Sequence, residues 1–142
     1  MSNTTYMVAA RIGPETRTLL LRTYPPRFQL AYCFQITWAY GTPPTIDFPR
    51  GELMCTIIGR HGSSRGEALI CRLGEHCWRP DGRPLSITLS VAPGTPPATV
   101  NAAIDPDEVT PVDPVCFPVR LLCMQARMDK PTARDDNFQR TA

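Results

Sequence analysis

Residues 28–40 read FQLAYCFQITWAY. Every even position of this segment, from Phe28 to Tyr40, is apolar or aromatic, whereas the odd positions are small or polar. An alternation of period two places one set of side chains on one face of a strand, and a helix would scatter them around its circumference. The segment is therefore predicted to be one long β-strand with a heavily buried face. Because few strands are this long, a bend or bulge is expected at Gln35–Thr37.

The rest of the chain is divided into short apolar runs by turn-forming residues. Sixteen prolines and nine glycines are spread through 142 residues, and no apolar run reaches helix length. Further strands are predicted at residues 6–12, 17–23, 52–58, 67–73, 85–91 and 115–124. A total of about seven strands with at most one short helix predicts an all-β, single-domain antiparallel β-sandwich or flattened barrel.

Two of these strands carry specific predictions about burial. Residues 85–91 (LSITLSV) alternate perfectly, so their serine and threonine side chains are expected to face solvent. Residues 52–58 (ELMCTII) lack clean alternation, which indicates that both faces are covered.

The sandwich is assigned to residues 1–125, including a long loop at residues 92–114 that is rich in proline and is expected to run over the surface. Residues 126–142 are predicted to form a flexible polar tail.

The six cysteines are interpreted as reduced thiols. Cys77 lies beside a turn, and the other five lie within apolar runs and are expected to be mostly buried, namely Cys33, Cys55, Cys71, Cys116 and Cys123. Zinc-type side chains occur at Cys55, His61, Cys71, His76 and Cys77, but their spacing matches no C-x2-C pair. No metal and no other cofactor is assigned.

The location of the protein is predicted from the lack of a membrane-spanning run and of a signal-peptide pattern. No apolar run approaches the ~20 residues of a membrane-spanning helix, and the first residues lack the charged start and apolar core of a signal peptide. We expect an intracellular protein of the cytoplasm or nucleus, or a virion component, that is not secreted and has no transmembrane segment.

Charge is distributed unevenly along the chain, although the net charge is only +2. Fourteen of the fifteen basic residues are arginines, concentrated in residues 1–30 and 50–83, and residues 104–114 carry only acidic charges. Guanidinium groups match the geometry of phosphate, and opposite patches favour association between copies.

Two sets of residues are candidates for these roles. Contact with an anion or nucleic acid is assigned to Arg60, Arg65, Arg79, Arg83 and Trp78, which combine basic turns with an aromatic ring for stacking. Self-association is assigned to the aromatic end of the central strand and to the acidic loop, namely Trp38, Tyr40, Asp105, Asp107 and Glu108.

Residues 45–63, TIDFPRGELMCTIIGRHGS, resemble a segment of the trimeric dUTPases in which an I-D pair is followed by R-G-E, a β-strand and a polar turn; the matching residues are Ile46, Asp47, Arg50, Gly51 and Glu52. The resemblance implies that Asp47 is the base that activates water for attack on a nucleotide phosphate. The upstream P-R-S-G element and the C-terminal glycine-rich motif of that family are absent, so the resemblance implies a degenerate, related β-fold without the activity.

These observations predict a non-enzymatic, self-associating structural protein, most consistent with a viral matrix or coat protein. It is expected to form homo-oligomers, to contact nucleic acid or an anionic membrane surface through arginines, and to use no small-molecule substrate. The alternatives are a monomeric accessory module that binds a host protein through residues 92–114, and the degenerate dUTPase-like fold. No catalytic residue is assigned.

Overall fold

The computed structural model describes residues 5–126 and 130–133. Within them the chain forms, in order, β1 (Tyr6–Arg11), α1 (Pro14–Thr23), β2 (Leu30–Ala31), β3 (Gln35–Thr42), β4 (Glu52–Gly62), β5 (Gly66–Leu73), β6 (Ser86–Val91), α2 (Pro97–Ala102), a 3-10 turn (Pro106–Glu108), β7 (Thr110–Pro111), β8 (Cys116–Arg120), β9 (Leu122–Gln125) and β10 (Thr132–Ala133). The predicted all-β, antiparallel sandwich is confirmed. None of the helices formed by these residues is both long enough and apolar enough to cross a membrane.

The strands form two antiparallel sheets that share two corners. The smaller sheet has the order β3-β1-β9, and the larger has the order β10-β2-β6-β5-β4, with β7 and β8 both paired to β4. The chain passes from the larger sheet to the smaller between β2 and β3, and again between β8 and β9. These two crossings connect the sheets at their corners, so that the sandwich resembles a flattened barrel.

One core fills the space between the sheets. It is built from aliphatic and aromatic side chains of both sheets and of α1, namely Val8, Ala10, Ile12, Leu20, Tyr24, Cys33, Ile36, Trp38, Phe48, Cys55, Ile57, Leu69, Cys71, Leu73, Leu85, Ile87, Leu89, Phe117, Val119 and Leu121. A smaller cluster of Ala68, Val91 and Val100 lies on the outer side of the larger sheet, beneath α2.

The prediction of one continuous strand at residues 28–40 is wrong. The chain breaks at Cys33, whose φ of 65° lies in the left-handed region, and the two halves join different sheets. Before the break Ala31 and Cys33 point into the core, and after it Ile36 and Trp38 do so, which means that the buried face changes from odd to even positions. The predicted bend at Gln35–Thr37 therefore lies slightly before that segment.

Residues 17–23, predicted as a strand, belong to helix α1. Pro14 at the first turn and Glu15 beside it are typical of a helix start, since proline presets φ and a carboxylate complements the helix dipole. Leu20 is buried in the core, and Tyr24 ends the helix before the two following prolines.

Strand β6 is not half-exposed, as its alternation predicts, because all six of its residues are buried. Thr88 donates a hydrogen bond to Asn101 of α2 at 3.1 Å, since α2 packs over this side of the sheet. A Cβ at Gly66 would overlap Cγ2 of Val100, so the close approach of α2 to β5 requires glycine there. The loop at residues 92–114 is consequently in part a packed cover for the larger sheet.

Strand β4 departs from its predicted double burial. Its inner residues Cys55 and Ile57 are fully buried, but Met54 and Ile58 on the outer side are 50% and 38% exposed. Cys116 on the neighbouring strand, expected to be buried, is exposed as well. The cover formed by residues 92–114 ends before it reaches this part of the sheet.

The predicted tail is only partly described. Thr132–Ala133 pair with Leu30–Ala31, and Arg17 donates a hydrogen bond to the Thr132 hydroxyl at 2.9 Å. Residues 127–129 and 134–142 lie outside the described residues, so the flexibility of the tail stays a prediction.

All six cysteines are free, and their burial predicts two classes of reactivity. Burial raises the pKa of Cys33 to about 12, and a hydrogen bond with Cys55 followed by burial raises the pKa of Cys71 well above its ordinary value. Because the thiolate is the reactive form, Cys77 and Cys116, both exposed, should be alkylated rapidly at about pH 8. Mass spectrometry should find the buried thiols modified only after denaturation; rapid modification of Cys33 in the folded protein would contradict this burial.

Candidate functional site

A groove of about 510 Å³ opens where β3 and β6 separate. The Cys33 amide donates a hydrogen bond to the Thr88 carbonyl at 2.8 Å, and beyond this bond β3 follows β1 into the smaller sheet. The other two walls are the segment that contains Arg79 and Arg83 and the start of α2. We call it the β3–β6 groove; its volume is within the range of ligand-binding clefts.

Three aromatic rings line the β3–β6 groove. Tyr32 and Phe34 are in edge-to-face contact, with ring centroids 6.1 Å apart, and Tyr40 is 63% exposed at the far end of β3. The break at Cys33 turns Tyr32 and Phe34 away from the main core, and both stay partly buried, Tyr32 against the small cluster beneath α2. Such rings offer apolar faces on which a planar group can stack.

Polar side chains line the same groove between these rings. Gln35 donates to the Thr37 hydroxyl at 3.1 Å, and Asn101 accepts from Thr88. Ser86 contributes another hydroxyl group from β6. Amide and hydroxyl groups both donate and accept hydrogen bonds, so this lining can satisfy the polar edge of a bound base.

Four arginines surround the groove. Arg79 and Arg83 line it directly, and the guanidinium of Arg17 lies 4.3 Å from the centroid of the Phe34 ring. Arg11 donates to the side-chain oxygen of Gln35 at 2.7 Å. None of the described lining residues is acidic, so the groove should carry a positive potential.

A turn with the sequence Pro-Asp-Gly, residues 80–82, positions two of these arginines. Gly82 has a φ of 85°, and the Arg79 amide donates to the Arg83 carbonyl at 2.7 Å. Asp81 lies 2.9 Å from Arg79 and 3.9 Å from Arg83, so it offsets part of their charge. Burial lowers the pKa of Arg79 from its ordinary value while Asp81 raises it, and the side chain stays protonated at neutral pH.

The side chain of Arg79 also retains hydrogen-bonding capacity. Its Nε atom is buried and has no hydrogen-bond partner among the residues that the structure describes. An unsatisfied buried donor is costly, so a small rearrangement that gives this group an acceptor would be favourable.

The other predicted anion contacts lie elsewhere. Arg60 is withdrawn into an ion pair with the fully buried Glu67 at 2.6 Å and also donates to the Pro25 carbonyl, which leaves it unsuited to bind a ligand. Arg65 lies at the tip of the β4–β5 hairpin and donates to Thr95 at 3.0 Å. Trp78 is 52% exposed beside Arg79, but it does not line the groove.

The predicted self-association residues also separate in space. Trp38 belongs to the core of its own chain and contacts the ring of His76, so another subunit is not needed to cover it. Tyr40 is exposed and lines the β3–β6 groove. Asp105, Asp107 and Glu108 are exposed at the 3-10 turn, where the Asp105 carboxylate accepts a hydrogen bond from the Asp107 amide.

Two other kinds of site are conceivable among the described residues, a metal centre and a second cavity. No group of three or more histidine, cysteine or acidic side chains is placed there to hold a metal ion. A second cavity of about 400 Å³ is lined by Phe48, Arg50 and Arg120 among others, and Arg50 stacks on the Phe48 ring at 3.8 Å. Asp47, the base implied by the dUTPase resemblance, lines neither cavity and accepts a hydrogen bond from the Phe48 amide.

Of the residues around the groove, the sequence predicts anion contact for Arg79 and Arg83 and self-association for Tyr40, and it does not single out the remaining aromatic and basic side chains. Tyr32 and Phe34 were assigned to the core face of a continuous strand, and Arg17 to a strand that is in fact a helix. The one signal available for Arg17 was the helix-start pattern Gly13-Pro14-Glu15.

Neither a scan against protein-family models nor comparisons with curated proteins and with solved structures finds a match for this chain. The functional inference therefore depends on the groove itself.

Proposed function

We propose that this protein is a non-enzymatic module that binds single-stranded nucleic acid in the β3–β6 groove. The observation that carries the proposal is that one exposed and two partly exposed aromatic rings line one cleft together with arginines. Proteins that bind single strands without base pairing combine rings for base stacking with a basic channel for the backbone. The groove supplies both in about 510 Å³.

The contacts indicate which side chains of the groove would bind bases and which would bind phosphates. Tyr40, with most of its surface free, is placed to stack on a base, and Phe34 is held in position by Arg17 above its ring. Arg83 on the opposite wall, with its side chain 51% exposed, is placed to contact a phosphate, and Arg79, only 11% exposed and paired with Asp81, would add a second contact once that ion pair opens. A flexible single strand can adapt to both walls, whereas a duplex presents stacked, paired bases that could not reach the rings.

A structural role for such a protein is compatible with this proposal. A coat- or matrix-type protein packages or contacts nucleic acid without chemistry, and the groove offers binding groups rather than a nucleophile with a positioned base. The viral origin expected from composition stays a prediction.

The direct test is the double variant Arg79→Glu, Arg83→Glu. Binding of a labelled oligothymidylate of about twelve nucleotides, followed by fluorescence anisotropy, should weaken at least about tenfold. The dependence of log K on log salt should become shallower by about 0.7 for each phosphate that the variant no longer neutralises.

A matched control is the double variant Arg50→Glu, Arg120→Glu, which changes net charge equally but alters residues that line only the second cavity. It should retain most of the affinity. Equal losses in both double variants would indicate non-specific attraction and reject the groove. Absence of binding by the unaltered protein at low salt would reject nucleic acid as the ligand, and capture of an acidic peptide in its place would indicate a peptide-binding groove.

A further inference from the structure

The outer side of β4 and β8 is left uncovered by the rest of the described chain. Its central side chains are Met54, Thr56, Ile58, Cys116 and Pro118, which we call the bare face. Four of them are exposed and Thr56 is half-buried, and none carries a charge.

The boundary of the bare face is set by residues 97–111. Val109 packs so closely on the backbone of β4 that a Cβ at Gly59 would overlap its side chain, and Asp105 donates its amide to His61 at 3.1 Å. Beyond Gly59 toward the start of β4, nothing in the described chain takes over this cover. A sheet with one polar, solvated face is common, but here the uncovered side presents methionine, isoleucine and proline.

Charged side chains of opposite sign flank the two ends of the bare face, so two copies of the face can pair opposite charges. Glu52 lies opposite Arg120 at one end of β4, and Thr56, four residues along, lies opposite Arg72 of β5. Four residues of strand correspond to about 13 Å. Consider two copies related by a twofold axis that crosses β4 at Met54. Glu52 of one copy would then lie over Thr56 of the other copy, beside the Arg72 of that other copy.

We infer that the bare face is a self-association surface occupied by a second copy of this chain. In the twofold arrangement Met54 of one copy packs on Met54 of the other, and each Glu52 meets an Arg72, while Arg120 faces the uncharged Cys116. A twofold interface uses the same patch on both subunits and must complement itself, and the pairing of Glu52 with Arg72 at both ends meets this condition. The surface differs from the residues for which the sequence predicted self-association.

The size of the face indicates a weak dimer. Stable interfaces bury about 800 Å² on each partner, and five central side chains with a charged margin provide less. We therefore expect dimerisation that depends on concentration, independent of the nucleic-acid groove on β3 and β6.

Sedimentation of the full chain, over roughly a hundred-fold range of concentration, tests this inference. The unaltered protein should shift from the mass of one chain to that of two, and Met54→Asp should stay a monomer throughout. Leu19→Asp, which alters a 46% exposed side chain of α1, is the matched control and should still dimerise. A monomer at every concentration, or a dimer that persists in Met54→Asp, would overturn the inference.

Reversal of the flanking charges distinguishes the twofold arrangement from other contacts. Glu52→Arg and Arg72→Glu should each raise the dissociation constant about tenfold, and the double variant should recover most of the loss because the pair is restored in reverse. This comparison is also informative if Met54→Asp fails to fold, which circular dichroism would reveal. Single variants that weaken the dimer without recovery in the double variant would reject the proposed geometry.

Discussion

Glu67→Ala is expected to lower the free energy of unfolding by about 3–5 kcal/mol, the cost of leaving a buried charge without its partner. Glu67 is fully buried, and its Oε1 atom accepts from Arg60 Nε at 2.8 Å. Its other oxygen accepts from the Arg27 amide at 2.7 Å and from the Ser90 hydroxyl at 2.5 Å. Removal of the carboxylate would take away the acceptor of all three donors and the counter-charge of the guanidinium.

The hydrogen-bond network of Glu67 and Arg60 also connects two parts of the fold. Arg60 also donates to the Pro25 carbonyl at 2.7 Å, so the pair ties the segment after α1 to the larger sheet. Urea denaturation of Glu67→Ala measures the loss, and Glu75→Ala, an exposed glutamate, serves as the control with little change expected. Replacing both members of the pair, as Glu67→Leu with Arg60→Met, should recover part of the stability. A loss in Glu67→Ala no larger than that of the control would contradict the buried pair.

Trp38→Ala is the second substitution with a large expected effect, a loss of about 3–5 kcal/mol. Trp38 is only 8% exposed and belongs to the main core, where its ring lies 5.3 Å from that of His76 in an edge-to-face contact. Removing the indole would leave a cavity between the sheets that the surrounding strands could fill only in part.

Tyr40→Ala is the natural comparison because the two residues lie on the same strand two positions apart. Tyr40 is largely exposed, so its removal should change the unfolding free energy by no more than about 0.5 kcal/mol while it weakens oligothymidylate binding. Denaturation monitored by circular dichroism gives both unfolding free energies. Similar stability losses in the two variants would contradict the assignment of Trp38 to the core and Tyr40 to the groove.

The sequence was sufficient for the fold class because its signals were local. Alternation, prolines and glycines marked the strands and turns, and the turn at residues 80–82 formed as its Pro-Asp-Gly sequence predicts. Arg79 and Arg83 flank this turn, and of the four arginines around the groove they are the two for which the sequence predicts anion contact.

The sequence did not reveal which aromatic side chains leave the core. A left-handed residue is usually glycine or asparagine, and nothing in the local pattern marks Cys33 as one. The change of face at Cys33 is decided by tertiary packing, because the chain must leave β6 and join β1 within a few residues. Likewise, the burial of β6 depends on α2, whose position over the sheet is not encoded in the alternation of β6 itself.

Photochemical cross-linking of an oligothymidylate to the full chain, with the modified peptide identified by mass spectrometry, tests most directly whether the β3–β6 groove binds single strands. Cleavage after Arg27 and Arg50 releases residues 28–50, which contain the aromatic rings Tyr32, Phe34 and Tyr40. We predict that this peptide carries the main cross-link and that Arg79→Glu with Arg83→Glu removes it. Cross-links confined to other peptides would contradict the proposed groove.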